Sequence, residues 1–153
     1  MRKIGTYLFW SMLMICTLTL VQSCREDDDI FQVVVIDSQE DLERLVLGQS
    51  SRLEGPIILS GAINSLEVFE NVEKIIGDFV IVDTQLTALD GLENLILVTG
   101  DITITSTPPF EQNIQDFCAL QTLINGGSFK SITITNNRFN PSVGDIQQGN
   151  CSF

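Results

Sequence analysis

Histidine is absent from this 153-residue chain, which removes the usual general base near neutral pH and the imidazole metal ligand. Tryptophan and tyrosine occur once each, as Trp10 and Tyr7, and methionine only as Met1, Met12 and Met14, so from Cys24 onward none of the three is present. Phenylalanine is then the only aromatic, and it leaves little with which to stack sugar rings or bases. Positive charge is scarce as well: 8 Lys and Arg stand against 20 Asp and Glu. A surface of that sign repels phosphate backbones, so no nucleic-acid partner is expected. The chain has no Gly-x-Ser-x-Gly elbow, no phosphate-binding loop and no metal-ligand spacing. A pair of carboxylates of the kind that hydrolyses glycosides would have no Trp or Tyr beside it to hold the ring. Asp78, Asp83, Asp90 and Asp101 recur at turns, but a hard cation needs six to eight converging oxygens, and no dense Asp-x-Asp-x-Asp run supplies them. These absences lead to the expectation of a protein that is not an enzyme, with no catalytic residues, no cofactor and no metal.

What is present begins with Met1-Arg2-Lys3, a positive start, followed by an apolar stretch from Ile4 to Val21. That is the layout of a secretory signal. The stretch ends in Val21-Gln22-Ser23-Cys24, and a small residue directly before cysteine at this place resembles the lipobox of bacterial lipoproteins. The resemblance implies a signal peptide over residues 1–23 and lipid, palmitate included, on Cys24. An apolar run of this length also approaches the roughly 20 residues that span a bilayer, so an uncleaved anchor is the alternative. One acyl chain binds marginally, whereas two or three hold a protein to a membrane effectively for good. Residues 24–32 carry Arg25-Glu26-Asp27-Asp28-Asp29, an acidic run too polar to fold alone and read as a tether. The run is similar to the acidic export signal of surface-displayed lipoproteins of the Bacteroidetes type. It implies an outer-membrane, surface-exposed location, with the periplasm-facing leaflet as the alternative. Removal of residues 1–23 would leave six basic residues against the same 20 acidic ones, a formal charge of −14.

Of four cysteines, Cys16 would leave with the signal and Cys24 would carry lipid. Cys118 and Cys151 remain, and in an oxidising compartment they are expected to pair. Free thiols or a metal site are the alternatives, and the chain offers no other soft ligand for the latter.

Residues 33–153 suffice for one domain with one core, and they repeat internally. Ile76-Gly77-Asp78-Phe79-Val80-Ile81 matches Thr99-Gly100-Asp101-Ile102-Thr103-Ile104, and the same offset relates Leu66 to Leu89, Phe69 to Leu92, Val72 to Leu95 and Ile75 to Val98. An earlier copy begins at Gly55, with Ile57 and Leu59, and a later one reads Ser131-Ile132-Thr133-Ile134-Thr135. Each repeat is a glycine turn, a short strand, then apolar residues at every third position, as in Leu86, Leu89, Leu92, Leu95 and Val98. A spacing of three fits neither a plain helix nor an alternating strand and suits a coil that turns a corner every few residues. Gly77 and Gly100 would permit the tight turn before each strand. Over residues 53 to 135 the pattern resembles the receptor L-domain and its bacterial leucine-rich-repeat relatives. That resemblance implies a β-solenoid of right-handed parallel β-helix type, leucine-rich-repeat-like. The coils are few, and Pro108-Pro109 interrupts the third.

Solenoid ends need caps. Val33-Val34-Val35-Ile36 reads as a strand, and Ser38-Gln39-Glu40-Asp41 as the start of a short capping helix that buries Leu42, Leu45 and Val46. A second helix is expected over Asp116 to Asn125, stopped by Gly126-Gly127, with a carboxyl-terminal cap closed by the Cys118–Cys151 bridge. Alternation places Phe79, Ile81, Ile102, Ile104, Ile132 and Ile134 inward. Ile58 and Ser60, Val80 and Val82, Thr103 and Thr105, and Thr133 and Thr135 then face outward as one β-branched surface. Such residues suit any sheet surface, and a contiguous exposed patch also marks interaction sites; ice binding would need more than two Thr-x-Thr rungs. The expectation is a membrane-anchored interaction module with a protein partner, and the alternative a structural accessory subunit of an envelope uptake or adhesion complex.

Overall fold

The computed structural model describes residues 33–48, 51–109 and 112–153. The signal peptide over residues 1–23, the lipid-bearing Cys24 and the tether over 24–32 lie outside the described residues. The chain opens with β1 (Val34–Ser38) and runs directly into helix α1 (Gln39–Leu47). Ser38 caps that helix, its hydroxyl accepting from the Asp41 amide and donating to the Asp41 carboxylate at 2.8 Å. This satisfies one of the amide donors that every helix start leaves free. Leu42 and Val46 are buried beneath α1, and Leu45 packs beside them.

Strands β2 (Arg52–Glu54), β3 (Ile57–Ala62), β4 (Lys74–Ile76), β5 (Phe79–Thr84), β6 (Leu97–Val98) and β7 (Asp101–Thr105) follow. A 3-10 turn over Cys118–Leu120, helix α2 (Gln121–Gly126), strand β8 (Ser131–Ile134) and helix α3 (Val143–Gln147) complete the chain. The strands form two parallel sheets, one of five in the order β1-β3-β5-β7-β8 and one of three in the order β2-β4-β6. Pairing follows the sequence repeat: Phe79 lies beside Ile102 and Ile81 beside Ile104. The copy starting at Gly55 pairs one residue short, Ile57 beside Phe79.

The closed β-solenoid expected from the repeat, leucine-rich-repeat-like and receptor L-domain-like, is not what these residues form. Two separate parallel sheets with helices make an α/β-like arrangement instead. The physical reason lies in the segments read as a third side of each coil. Residues Glu67–Asn71 form a 3-10 helix in which Phe69 and Val72 donate back three residues to Leu66 and Phe69. In the next repeat Leu92 and Leu95 likewise donate to the carbonyls of Leu89 and Leu92. Amides spent on bonds three residues back are not available to a ladder between repeats, so among the described residues these segments form no third sheet.

The same local turns explain the three-residue apolar spacing. Each turn of about three residues brings one side chain back to the same side. Leu86, Leu89, Leu92, Leu95 and Val98 are all buried, as are Ile63, Leu66, Phe69, Val72 and Ile75. Every such side chain contributes roughly 1.5–3 kcal/mol by leaving water. From the five-stranded sheet Leu59, Phe79, Ile81, Ile102 and Ile104 enter the same core, and from the three-stranded sheet Leu53, Ile75 and Val98. Ile132 and Ile134, expected fully inside, are half-buried because β8 is the last strand and no further strand covers them.

Gly77 turns the chain between β4 and β5 at φ +151°, and a Cβ there would sit 2.6 Å from the Gly55 carbonyl carbon of the preceding repeat. No side chain fits. Gly100 occupies the equivalent corner, where a Cβ would meet the Asp78 carboxylate and the Gly77 backbone, and its amide donates to the Gly77 carbonyl at 2.9 Å.

At the carboxyl end the predicted helix starts later than Asp116. The Asp116 backbone is held in bridges to Ala88 and Ser152, and its side chain accepts from the Cys118 amide at 2.9 Å. The chain becomes helical only beyond that anchor. Cys118 and Cys151 form the disulfide, with Cα atoms 5.0 Å apart, and Phe117 donates to the Cys151 carbonyl at 2.9 Å.

Candidate interaction face

Successive residues of a strand point to opposite sides of its sheet, so the residues between the core positions of the five-stranded sheet form its outer surface. Parallel register aligns them in rows. The first row runs Val35, Ile58, Val80, Thr103, Thr133, each paired with the next across neighbouring strands. The second runs Ser60, Val82, Thr105, and beyond β8 Thr135 extends it, with its Oγ1 3.0 Å from that of Thr105. All eight residues singled out from the sequence therefore lie together on one face.

Six of these residues are half-buried by their neighbours, and Thr133 and Thr135 are exposed. Val35 is 63% exposed and continues the apolar end of the first row. Sequence reasoning missed it because β1 lies outside the glycine-strand repeat, and its register against β3 is set by tertiary packing. The face thus grades from Val35, Ile58, Val80 and Val82 at one end to threonine at the other.

Acidic residues border the face on two sides. Before the strands, Asp78 accepts from the Asp101 amide at 2.8 Å, and the Asp101 carboxylate accepts from Lys130 Nζ at 2.8 Å and from the Ser131 hydroxyl at 2.6 Å. The bond from Lys130, helped by that from Ser131, holds the Asp101 carboxyl below its ordinary range, and Asp101 in turn raises the Lys130 ammonium. After the strands, Asp83 adopts φ +53° and accepts from Thr107 Oγ1 at 2.6 Å, the Thr107 amide at 2.7 Å and Ser106 Oγ at 2.7 Å. Those three bonds, the Thr107 hydroxyl first, lower the Asp83 pKa. Asp37 alternates with Val35 on β1 and is exposed.

A second polar cluster lies inside, at the ends of β5, β7 and β8. The side-chain oxygen of Gln112 accepts from the amide and hydroxyl of Thr84, both at 3.1 Å, while its nitrogen donates to the Thr105 carbonyl and to Asn137 Oδ1. Asn137 donates to the carbonyls of Ile104 and Thr135. Gln112 and Asn137 are both buried, and each bond satisfies a group that would otherwise be costly to bury. Nothing in the local pattern marks them out, because Asn and Gln are ordinarily surface residues.

Asp83, Asp101 and Asp145 are all held in the ionised form by hydroxyl or ammonium donors, the opposite of the raised pKa that a general acid requires. Of the aspartates considered above as cation ligands, Asp83 and Asp101 engage both oxygens with backbone or side-chain donors, and Asp78 engages one. Among the described residues no group of three or more His, Cys, Asp or Glu could hold a metal ion, and no helix is long and apolar enough to cross a membrane. Two shallow clefts lie nearby, one of them at the β8 edge of the face, where Thr133 is part of its lining. One, of about 450 Å³, is lined by Val46, Leu47, Val68 and Val72; the other, of about 360 Å³, lies between Ile132 and Ile134 of β8 and Pro141 and Val143. Compared with known proteins, the chain matches no family model, no curated protein and no solved structure.

Proposed function

We propose that this chain is a non-catalytic protein-interaction module, held at the bacterial outer membrane by lipid on Cys24 and displayed at the cell surface. The observation that supports this reading best is the two-row outer face of the five-stranded sheet. It presents Val35, Ile58, Val80 and Val82 side by side with the threonines of β7 and β8, on a sheet surface whose apolar half lines neither of the two clefts described above. Flat β-branched surfaces with a polar margin are suited to another protein surface. The sequence start supports the location: a positive, apolar, Ser23-Cys24 segment followed by Arg25-Glu26-Asp27-Asp28-Asp29.

Protease shaving combined with photocrosslinking tests the reading. A photoreactive residue is placed at Val82, on the face, or at Glu93, away from it, in the full-length chain, and intact cells are irradiated. The expected result is a discrete adduct from position 82, none from position 93, and loss of the chain when intact cells are treated with protease. Equal labelling from both positions would remove the face as a docking surface, and protection from protease would remove surface display.

A further inference from the structure

We infer that the partner docking on the outer face of the five-stranded sheet is cationic at its margins: a protein surface with an apolar centre flanked by lysine or arginine. The inference rests on the interaction reading above and adds the chemistry of the occupant. Charge complementarity carries it. The centre of the face, from Val35 through Ile58 and Val80 to Thr103, holds no ionisable group. Its borders are acidic on both sides, with Asp78 before β5 and with Asp37 and Asp83 toward the ends of β1 and β5. Lys130, the cation at this border, is already paired with Asp101 at 2.8 Å.

Among the described residues, carboxylates outnumber cations along this border. The ion pairs among the described residues join Arg44 to Glu40 and Asp41, Arg52 to Glu54, and Lys130 to Asp101; Asp37 and Asp83 take part in none, and Asp78 shares the field of Lys130 with Asp101, two carboxylates to one ammonium. Asp83 accepts three hydrogen bonds yet keeps its full negative charge, since its donors are hydroxyls and an amide. A charged rim around a neutral centre steers and orients a partner of opposite sign, and like charge on a partner is penalised. Anionic membranes and nucleic acids are disfavoured by the same sign.

The test uses membranes carrying the full-length chain with a photoreactive residue at Val80, irradiated at low and at high salt. Raising NaCl from about 20 mM to about 500 mM shortens the screening length from roughly 20 Å to roughly 4 Å. The adduct is expected to fall at least about fivefold over that range. The variant Asp37→Asn/Asp78→Asn/Asp83→Asn keeps the one oxygen that accepts from the Asp101 amide and the one that accepts from Ser106 and the Thr107 amide, while the Thr107 hydroxyl must turn to accept from the new amide nitrogen; it is expected to lose the adduct at low salt to a similar degree. Asp37→Lys alone disturbs none of those internal bonds and is expected to weaken the adduct on its own, and thermal melting confirms that each variant folds. The crosslinked peptide of the partner, read by mass spectrometry, is expected to carry Lys or Arg on both sides of an apolar segment. An adduct that persists unchanged through salt and both variants would overturn the cationic partner while leaving the interaction face in place. Absence of any adduct at Val80 would overturn both.

Discussion

Asp83 shows at the scale of one residue how the acidic surface is kept compatible with folding. Its carboxylate is bound by two hydroxyls and one amide from Ser106 and Thr107, and these donors favour the charged form. Folding lowers its pKa below the ordinary 3.8. Between the two values the unfolded chain binds more protons, so the stabilisation from this group is complete above the unfolded pKa and is lost as pH falls through the folded one. Total stability also feels the excess of acidic groups, whose mutual repulsion is relieved by acid, so the wild type alone does not isolate the effect. The difference between wild type and Thr107→Val does. Denaturant titrations should show the variant less stable at about pH 7, with the gap narrowing as pH falls below the ordinary carboxylate range. A gap that stayed constant across that range would mean that Thr107 acts through packing and not through the Asp83 charge.

At the scale of elements, the strands were legible and the corners were half legible. Gly77-Asp78-Phe79 and Gly100-Asp101-Ile102 repeat because a glycine must turn where the preceding repeat leaves no room for a Cβ, so the repeat reports a contact between copies. The three-residue spacing from Leu86 to Val98 correctly marked which side chains are buried. It did not reveal that the backbone between them closes bonds three residues back. Side-chain periodicity records direction, and a 3-10 turn and a bent extended corner send side chains inward at the same spacing. That ambiguity is why a closed coil was expected and two sheets are found.

The carboxyl-terminal elements depend on a single covalent tie. The disulfide joins Cys118, at the start of the 3-10 turn before α2, to Cys151 after α3, a sequence separation of 33, and the loop it closes contains β8. Closing such a loop stabilises by about 4 kcal/mol in the chain-entropy view. Cys118→Ser/Cys151→Ser is therefore expected to lower the melting temperature by roughly 10 °C or more. Loss of protection should be greatest in β8 and α3, read by amide hydrogen exchange. An unchanged melting temperature would mean that packing of Phe117, Leu123 and Ile146 alone holds this end.

For the whole molecule, the candidate site was legible because the outer face follows from the inner one: once Ile81 and Ile104 are buried, Val80, Val82, Thr103 and Thr105 must lie on the other side. What was not legible came from tertiary context. Val35 joined the face through the register of β1 with β3, and Gln112 and Asn137 became buried because three strand ends needed partners. Net charge contributes at this scale too, since its uneven spending leaves an acidic rim around a neutral centre.

Everything said of that face depends on adjacent parallel strands carrying equivalent repeat positions. The most direct measurement is a methyl NOE spectrum of protein labelled at isoleucine and leucine methyls. Ile81 should show cross-peaks to Leu59 on one side and Ile104 on the other, and Ile104 to Ile134. If Ile81 instead contacts neither Leu59 nor Ile104, the strands are not in register and the outer rows do not exist.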